Sequence, residues 1–292
     1  MKIFSTISKY LSLVKFAHTV FALPFALIGF FLGATETSHN INLHLFILVL
    51  FCMVFARNAA MSFNRYIDRN IDIKNPRTSS REIPSGILNP TAVLFFVIFN
   101  IAGFITTTYF INSLCFFLSP LAMIVVLGYS FTKRFTSFCH IILGLGLALA
   151  PIGAYMAVTG HFALYPVLYS FAVLFWVSGF DIIYALQDID FDKSQNLQSI
   201  PVKIGIKNSL WISLLLHLFT VSIIIYAGIN IHFGLLYWIG TGIFIFLLFY
   251  QHIIIRPSDL SRVHLAFASM NGLASVIFGV FVIAELLFNA CP

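Results

Sequence analysis

An all-α membrane protein of nine transmembrane helices around a cytoplasm-facing central cavity is the fold the sequence predicts, and three observations predict it. The 292 residues are 60% hydrophobic and 9% charged, where soluble domains carry about 25% charged residues. Mean hydropathy is +0.98, and apolar runs recur at the length a helix needs to cross a bilayer, about 18 residues or more. The connections between these runs alternate strictly between loops with no Lys or Arg and loops that hold nearly all the charge. One integral membrane domain over residues 1–292, solvated by lipid, accounts for all three.

Taken in order, Lys2, Lys9 and Lys15 precede a first apolar segment at 16–34. It is longer than a signal-peptide core and its cleavage-like residues are weak, so an uncleaved first span is expected. Eight further segments lie at 43–65, 91–110, 113–130, 138–158, 164–186, 209–229, 231–254 and 264–288. The connections 35–42, 111–112, 159–163 and the turn near Asn230 lack Lys and Arg; 66–90, 131–137, 187–208 and 255–263 carry the charge. The positive-inside rule puts the charged loops and the N-terminus in the cytoplasm, and nine spans leave the C-terminus outside. Because the basic residues sit in loops and helix ends, the net charge of +6 reports topology, and a nucleic-acid partner is excluded. Cys52, Cys115, Cys139 and Cys291 show no metal or redox spacing and read as packing residues.

The chemistry concentrates in NRYIDRNIDIKNPRTSSREIPSG, residues 64–86. Asn64, Asp68 and Asp72 recur every four residues, which stacks them along one helical face. A second set, Asp181, Tyr184, Asp188, Asp190 and Asp192, ends the sixth span within DIIYALQDIDFD. Both sets lead into a charged loop with an Ile-Pro pair, Ile83-Pro84 and Ile200-Pro201, an echo that suggests two related four-helix units. Carboxylates and a carboxamide suit a hard cation, Mg²⁺ above all, completed by phosphate oxygens. The residues expected to hold it are Asn64, Asp68, Asp72, Asp188 and Asp192; taken alone, the first face could equally be a solvated helix end. Arg77, Arg81 and Lys133 are placed to neutralise a diphosphate, with Arg134 and Lys203 as weaker candidates. Arg57 lies seven residues before Asn64, about 10 Å deeper along the same face. An arginine there needs a partner or a wet cavity, and the carboxylate of a small aromatic acid is its expected ligand. Asp181, also below the interface, marks a functional position by the same argument. The nine histidines show no ligand spacing; His18 reads as interfacial. Phe180 and Phe191 are candidates to face a carbocation.

These residues resemble the UbiA superfamily of membrane prenyltransferases. NRYIDRNID, NPRTSSREIPSG and DIIYALQDIDFD stand in the superfamily's order, and the resemblance covers nearly the whole chain. It implies transfer of a polyprenyl chain from polyprenyl diphosphate to an aromatic acceptor, with Mg²⁺ held by the two acidic motifs. Carried over, Asn64, Asp68 and Asp72 match the first motif; Asp181, Tyr184, Asp188 and Asp192 match the second; Tyr129 and Lys133 resemble the Tyr and Lys element after the fourth span. Asp68, Asp72, Asp188, Asp192 and Lys133 are then expected to be catalytic. Arg57, Asn64, Arg77, Arg81, Tyr129, Asp181 and Tyr184 are expected to bind substrate. Two departures bear on the acceptor. Asn64-Arg65 stands where 4-hydroxybenzoate enzymes often have Asn-Asp, and the second motif spaces its aspartates as Asp188, Asp190 and Asp192. KFAHTVFALPFALIG and RNAAMSFNRYIDR look more like relatives that prenylate a dihydroxynaphthoate in menaquinone synthesis. The expected reaction is therefore prenylation of 4-hydroxybenzoate or 1,4-dihydroxy-6-naphthoate in quinone biosynthesis, in a bacterial inner membrane with the active site cytoplasmic. A CDP-alcohol phosphotransferase is the rival enzyme, but its DGxxAR opening is absent. A secondary transporter is the rival of another class, and its acids would lie at the midplane rather than one interface.

Overall fold

The computed structural model describes residues 9–14, 21–37 and 41–289, and among them there is helix and turn but no strand. Nine principal helices follow one another: α1 (Leu23–Thr37), α2 (Leu43–Ile67), α3 (Pro90–Ile111), α4 (Ser113–Thr132), α5 (Cys139–Thr159), α6 (Leu164–Ala185), α7 (Ile200–Asn230), α8 (Leu235–Ile254) and α9 (Asn271–Asn289). Eight of the helical stretches are long and apolar enough to cross a membrane. The ninth, α1, is apolar but only 15 residues long. Residues 16–20 of the expected first span, His18 among them, fall outside the described residues, as do Lys2, Lys15 and Cys291.

Short polar side chains start several helices where the sequence leaves the membrane. Asn42, Asn89 and Asn112 accept hydrogen bonds from the backbone N–H groups of Leu45, Thr91 and Cys115, and Ser199 accepts from Val202. Each satisfies a donor that the first helical turn cannot satisfy internally. Asn112 also donates to the carbonyls of Met156 and Ala157, so the tight turn between α3 and α4 is pinned to the end of α5. At α1, an added Cβ on Gly29 would sit 2.0 Å from the Pro151 carbonyl oxygen, so glycine alone lets α1 and α5 approach.

The charged connection expected at 187–208 is mostly helical. A 3₁₀ turn (Leu186–Asp188) and a short helix (Ile189–Ser194) continue α6, and α7 begins at Ile200 rather than 209. Gly205, at φ 78° and ψ 172°, breaks α7 near its start, a conformation reserved in practice for glycine. The sequence pattern missed these turns because their polar faces dilute the apolar signal. The last span likewise opens with a π-helical turn (Leu265–Met270) before α9.

Successive helices from α2 to α9 pack side by side, and α1 packs between α5 and α9. The main core joins α1 to α6–α9 through Phe25, Trp176, Tyr237, Phe244 and Phe278, all 0% exposed. A chain of its polar groups is paired internally. Trp176 Nε1 donates to Asn271 Oδ1, Asn271 Nδ2 to Gln251 Oε1, and His217 lies between the Trp176 carbonyl and His252. Such pairing is what apolar surroundings demand of buried polar groups.

Candidate functional site

A cavity of about 910 Å³ runs from the charged ends of the helices toward the opposite end. Its upper wall holds Asn64, Asp68, Asp72, Arg77, Arg81, Lys133, Asp181, Tyr184 and Asp188. Arg57 and Tyr129 line it further along α2 and α4, and apolar residues such as Ile111, Leu118, Met156 and Phe162 line its far part. Phe180 and Phe191 also face it, while Lys203 is exposed and lies outside the lining. The walls come from α2–α5 together with the charged end of α6, so the cavity sits within the first four-helix unit and is closed off by the second.

The first acidic face survives a break in helical geometry. Asp68 ends α2 and a separate turn, Arg69–Asp72, follows. The bonds Asp68 N to Asn64 O and Asp72 N to Asp68 O nevertheless carry the four-residue stacking through. In the loop beyond, Asn75 Oδ1 accepts from Arg77 N at 2.9 Å and Thr78 Oγ1 donates to the Asp72 carbonyl at 3.1 Å. This Asx-type turn aims Arg77 across the cavity. Arg77 Nε and Nη2 donate to the two oxygens of Asp188 at 3.0 and 2.5 Å, its Nη1 donates to Tyr184 Oη at 2.9 Å, and Asn75 Nδ2 donates to Asp188 Oδ1 at 3.2 Å. The two acidic motifs therefore meet through a planar two-pronged bridge, the strong form of such a pair.

Every expected aspartate ligand faces a base. Asp72 takes both of its bonds from Arg81 Nη1, at 2.7 and 2.8 Å. Asp68 accepts from Asn64 Nδ2 at 3.0 Å and from Arg134 Nη2 at 3.1 Å. The same Arg134 nitrogen donates to the Ile67 carbonyl at the end of α2, where the helix dipole favours a cation. Asp192 pairs with Lys133 Nζ at 2.7 Å. Burial lifts the Asp68 carboxyl above its usual range, and nearby Asp72 adds to this against the hydrogen bond from Arg134. For Arg77, burial works against the charge, but Asp188 and Tyr184 outweigh it and hold the guanidinium above its usual value.

Two expectations are corrected by this geometry. Asn64, Asp68, Asp72, Asp188 and Asp192 do not converge as one ligand set: among the described residues no three His, Cys, Asp or Glu side chains form a group that could hold a metal ion. Each carboxylate is turned onto its own cation instead. Asp192 is absent from the cavity lining and wholly buried. The backbone turns at Asp188 (φ −108°, ψ 6°) between the 3₁₀ turn and the short helix, which swings Asp192 away from the cavity and onto Lys133. The chemistry of the donor set still fits a hard cation. All the donors are oxygen, and beyond the Lys133 ion pair the Asp192 oxygens accept no hydrogen bond.

Three side chains that the sequence reading did not place belong to the site. Arg65 is 5% exposed, lines the cavity beside Asn64 and makes no ion pair. Its Nε, like that of Arg57, is buried with no hydrogen-bond partner. Asn75 bonds Asp188, as above. His140, at the start of α5, lies 2.7 Å through Nδ1 from Asp181 Oδ2. The signal for His140 was the acid itself: Asp181 below the interface requires a partner, and His140 is the polar residue α5 offers at that level.

Fold and site together define a polytopic helical membrane protein with a cavity that is charged at its mouth and apolar along its shaft. The chain belongs to the UbiA prenyltransferase family, whose sequence pattern matches residues 22–275, and it is a prenyltransferase of the integral membrane. Its relatives include the 4-hydroxybenzoate octaprenyltransferase of Tolumonas auensis, 30% identical over 78% of this chain and 79% of that one. The 4-hydroxybenzoate octaprenyltransferase of Shewanella oneidensis is 30% identical over 85% of this chain and 86% of its own. Among solved structures, an apo UbiA homologue from Aeropyrum pernix superposes with a TM-score of 0.79 at 28% identity, covering 93% of this chain and 98% of that one. A UbiA homologue from Archaeoglobus fulgidus bound to DMAPP and Mg²⁺ shares the fold, with a TM-score of 0.76 at 22% identity over 95% and 99% of the two chains.

Proposed function

We propose that the protein transfers a polyprenyl chain from its diphosphate to a small aromatic acid, 4-hydroxybenzoate in the first instance, with Mg²⁺ as cofactor and quinone synthesis as the setting. The observation that carries this reading is the cavity's division into a mouth of acid–base pairs and a long apolar shaft. A diphosphate suits the mouth, where Arg77 and Arg81 can turn from their carboxylates to phosphate oxygens and Lys133 can donate to them. Asp68, Asp72 and Asp188, with Asn64, would then hold Mg²⁺, while Asp192 would hold Lys133 in place. The metal supplies charge neutralisation for the departing diphosphate. The side chains hold that group in place, so the stabilising charges need no rearrangement as the carbon–oxygen bond stretches. The prenyl tail suits the shaft toward Ile111 and Phe162. Arg57 and Arg65, guanidinium groups with no carboxylate partner, suit the carboxylate of the acceptor. Tyr129 borders the same space, and Asp181 and Tyr184 bound the ring's subsite from α6. The charged ends of the helices face the cytoplasm by the positive-inside rule, on the inner membrane of a bacterium.

A naphthoate acceptor is the second reading, favoured by Arg65 following Asn64 in the first motif. Membranes holding the protein, given Mg²⁺, one long prenyl diphosphate and either 4-hydroxybenzoate or 1,4-dihydroxy-6-naphthoate, separate the two. Product from 4-hydroxybenzoate alone supports the first reading, product from the naphthoate alone replaces it, and product from neither with an intact protein rejects both.

A further inference from the structure

Electrophilic prenylation of a ring needs a base as well as an anion site, and the cavity holds one that the diphosphate chemistry does not use. His140 is 3% exposed and lines the cavity, as does Asp181. Its Nδ1 is 2.7 Å from Asp181 Oδ2, and its Nε2 is buried with no hydrogen-bond partner. A carboxylate only accepts hydrogen bonds, so Nδ1 carries a proton, and the lone pair that can take another lies on Nε2 whenever the ring is neutral. The backbone that carries the ring is held as well: Ser178 Oγ donates to the His140 carbonyl at 3.2 Å, tying the first turn of α5 to α6. A buried acceptor atom without a donor is costly, and a carboxylate that fixes the tautomer of the histidine beside it is the arrangement by which an imidazole becomes a general base.

We propose that His140 is a catalytic residue that takes, at Nε2, the proton the aromatic ring loses on prenylation, and that Asp181 positions it and stabilises the imidazolium. This rests on the aromatic-acceptor reading above. In the reaction, the bond from prenyl C1 to the diphosphate oxygen breaks and its electron pair leaves with diphosphate. Prenyl C1 bonds to the ring carbon beside the hydroxyl, drawing a pair from the ring. The C–H bond at that carbon then breaks, its electrons restore aromaticity, and its proton passes to Nε2. Release of that proton to water resets the neutral pair.

The test uses the full-length enzyme in membranes and 4-hydroxybenzoate carrying hydrogen or deuterium at the two carbons beside the hydroxyl. His140→Asn keeps an amide donor near the Nδ1 position for Asp181 but removes the Nε2 acceptor. Its expected kcat is about 10²-fold or more below wild type, the range for losing a general base, with KM for both substrates little changed. The ratio of hydrogen to deuterium rates should rise above the wild-type ratio, because proton removal becomes slow. Asp181→Asn, which no longer fixes the tautomer, should raise the ratio too. Release of diphosphate in step with product in either variant, at an unchanged isotope ratio, would overturn the assignment, since a residue that only holds α5 to α6 slows both isotopic forms equally. Retention of wild-type kcat would overturn it as well. Failure of the wild-type enzyme to prenylate the acceptor would reject the functional reading itself, a different result from a wild type that works beside variants whose isotope ratio does not move.

Discussion

The two four-helix units of this chain are built in opposite ways. The unit α2–α5 is hollow: Ala56, Ala60, Ala122, Ala150, Gly153 and Ala154 line its cavity. The unit α6–α9 is filled, with Trp176, Tyr237, Phe244 and Phe278 interlocked at its centre. The burial of their apolar stretches shows the same contrast, 17% for α2 against 56% for Leu164–Ser194. In lipid there is little hydrophobic gain from burying one apolar helix on another, so close packing and satisfied polar groups do the stabilising. The filled unit holds the fold, and it supplies to the hollow one the charged end of α6 with Asp181, Tyr184 and Asp188, together with aromatic side chains such as Phe180 and Phe267. The chemistry therefore sits on the wall between the two.

The comparison breaks most sharply at that wall. Asp188→Asn leaves Arg77 without its carboxylate and disrupts the bridge between motifs. A fall in kcat of about 10³-fold is expected, of the size seen when a preorganised electrostatic contact is lost, with the amount of folded protein in the membrane nearly unchanged. Loss of folded protein in proportion to activity would mean that the bridge is structural. Within the filled unit the expectation reverses. Phe244, which packs at 5.2 Å from Phe278 and 5.8 Å from Trp176 between ring centroids, should cost about 3–5 kcal/mol of stability as Phe244→Ala. Thermal unfolding in detergent would measure this, and kcat per folded molecule should hold. In the hollow unit, Arg57→Ala should weaken capture of an aromatic acid by about 10- to 100-fold, the worth of a hydrogen bond to a charged group. Rates with the decarboxylated phenol should not change; equal losses for both acceptors would remove Arg57 from the carboxylate.

Much of this was legible in the sequence because membrane helices advertise themselves. The segments 43–65, 91–110, 113–130 and 138–158 match α2–α5 to within a few residues, and the acidic motifs fell at helix ends as their spacing required. What was hidden was direction. A four-residue repeat places Asp188 and Asp192 on one face only if the helix is regular, and the 3₁₀ turn at Leu186–Asp188 spoils that. Nor does composition say which base an aspartate will meet, so Arg77, Arg81 and Lys133 could be placed near the acids but not paired with them. The hollow and filled units look alike to hydropathy. The difference is carried by side-chain volume, with alanine and glycine where the cavity runs and large aromatics where it does not.

Smallest in effect, and confined to the filled side, is the glycine that turns α7 out of its axis. Gly205 holds φ 78° and ψ 172°, and a Cβ built there would meet nothing within 4 Å. Steric contact is thus no reason for glycine, and the backbone conformation is the whole of it. The short stretch before Gly205 begins at Ser199, whose side chain caps it, and follows directly on the turns that carry Asp188 and Asp192. Gly205→Ala should cost about 1–3 kcal/mol, the penalty for a side chain in a backbone region open in practice to glycine alone. Because the residue is not part of the cavity lining, kcat and both KM values should hold at the wild-type level. A lowered unfolding temperature with unchanged kinetics would show that the bend is held by the filled unit alone. A lost rate at unchanged stability would show instead that the bend sets the position of Asp188, and that the division of labour between the units is less complete than their packing implies.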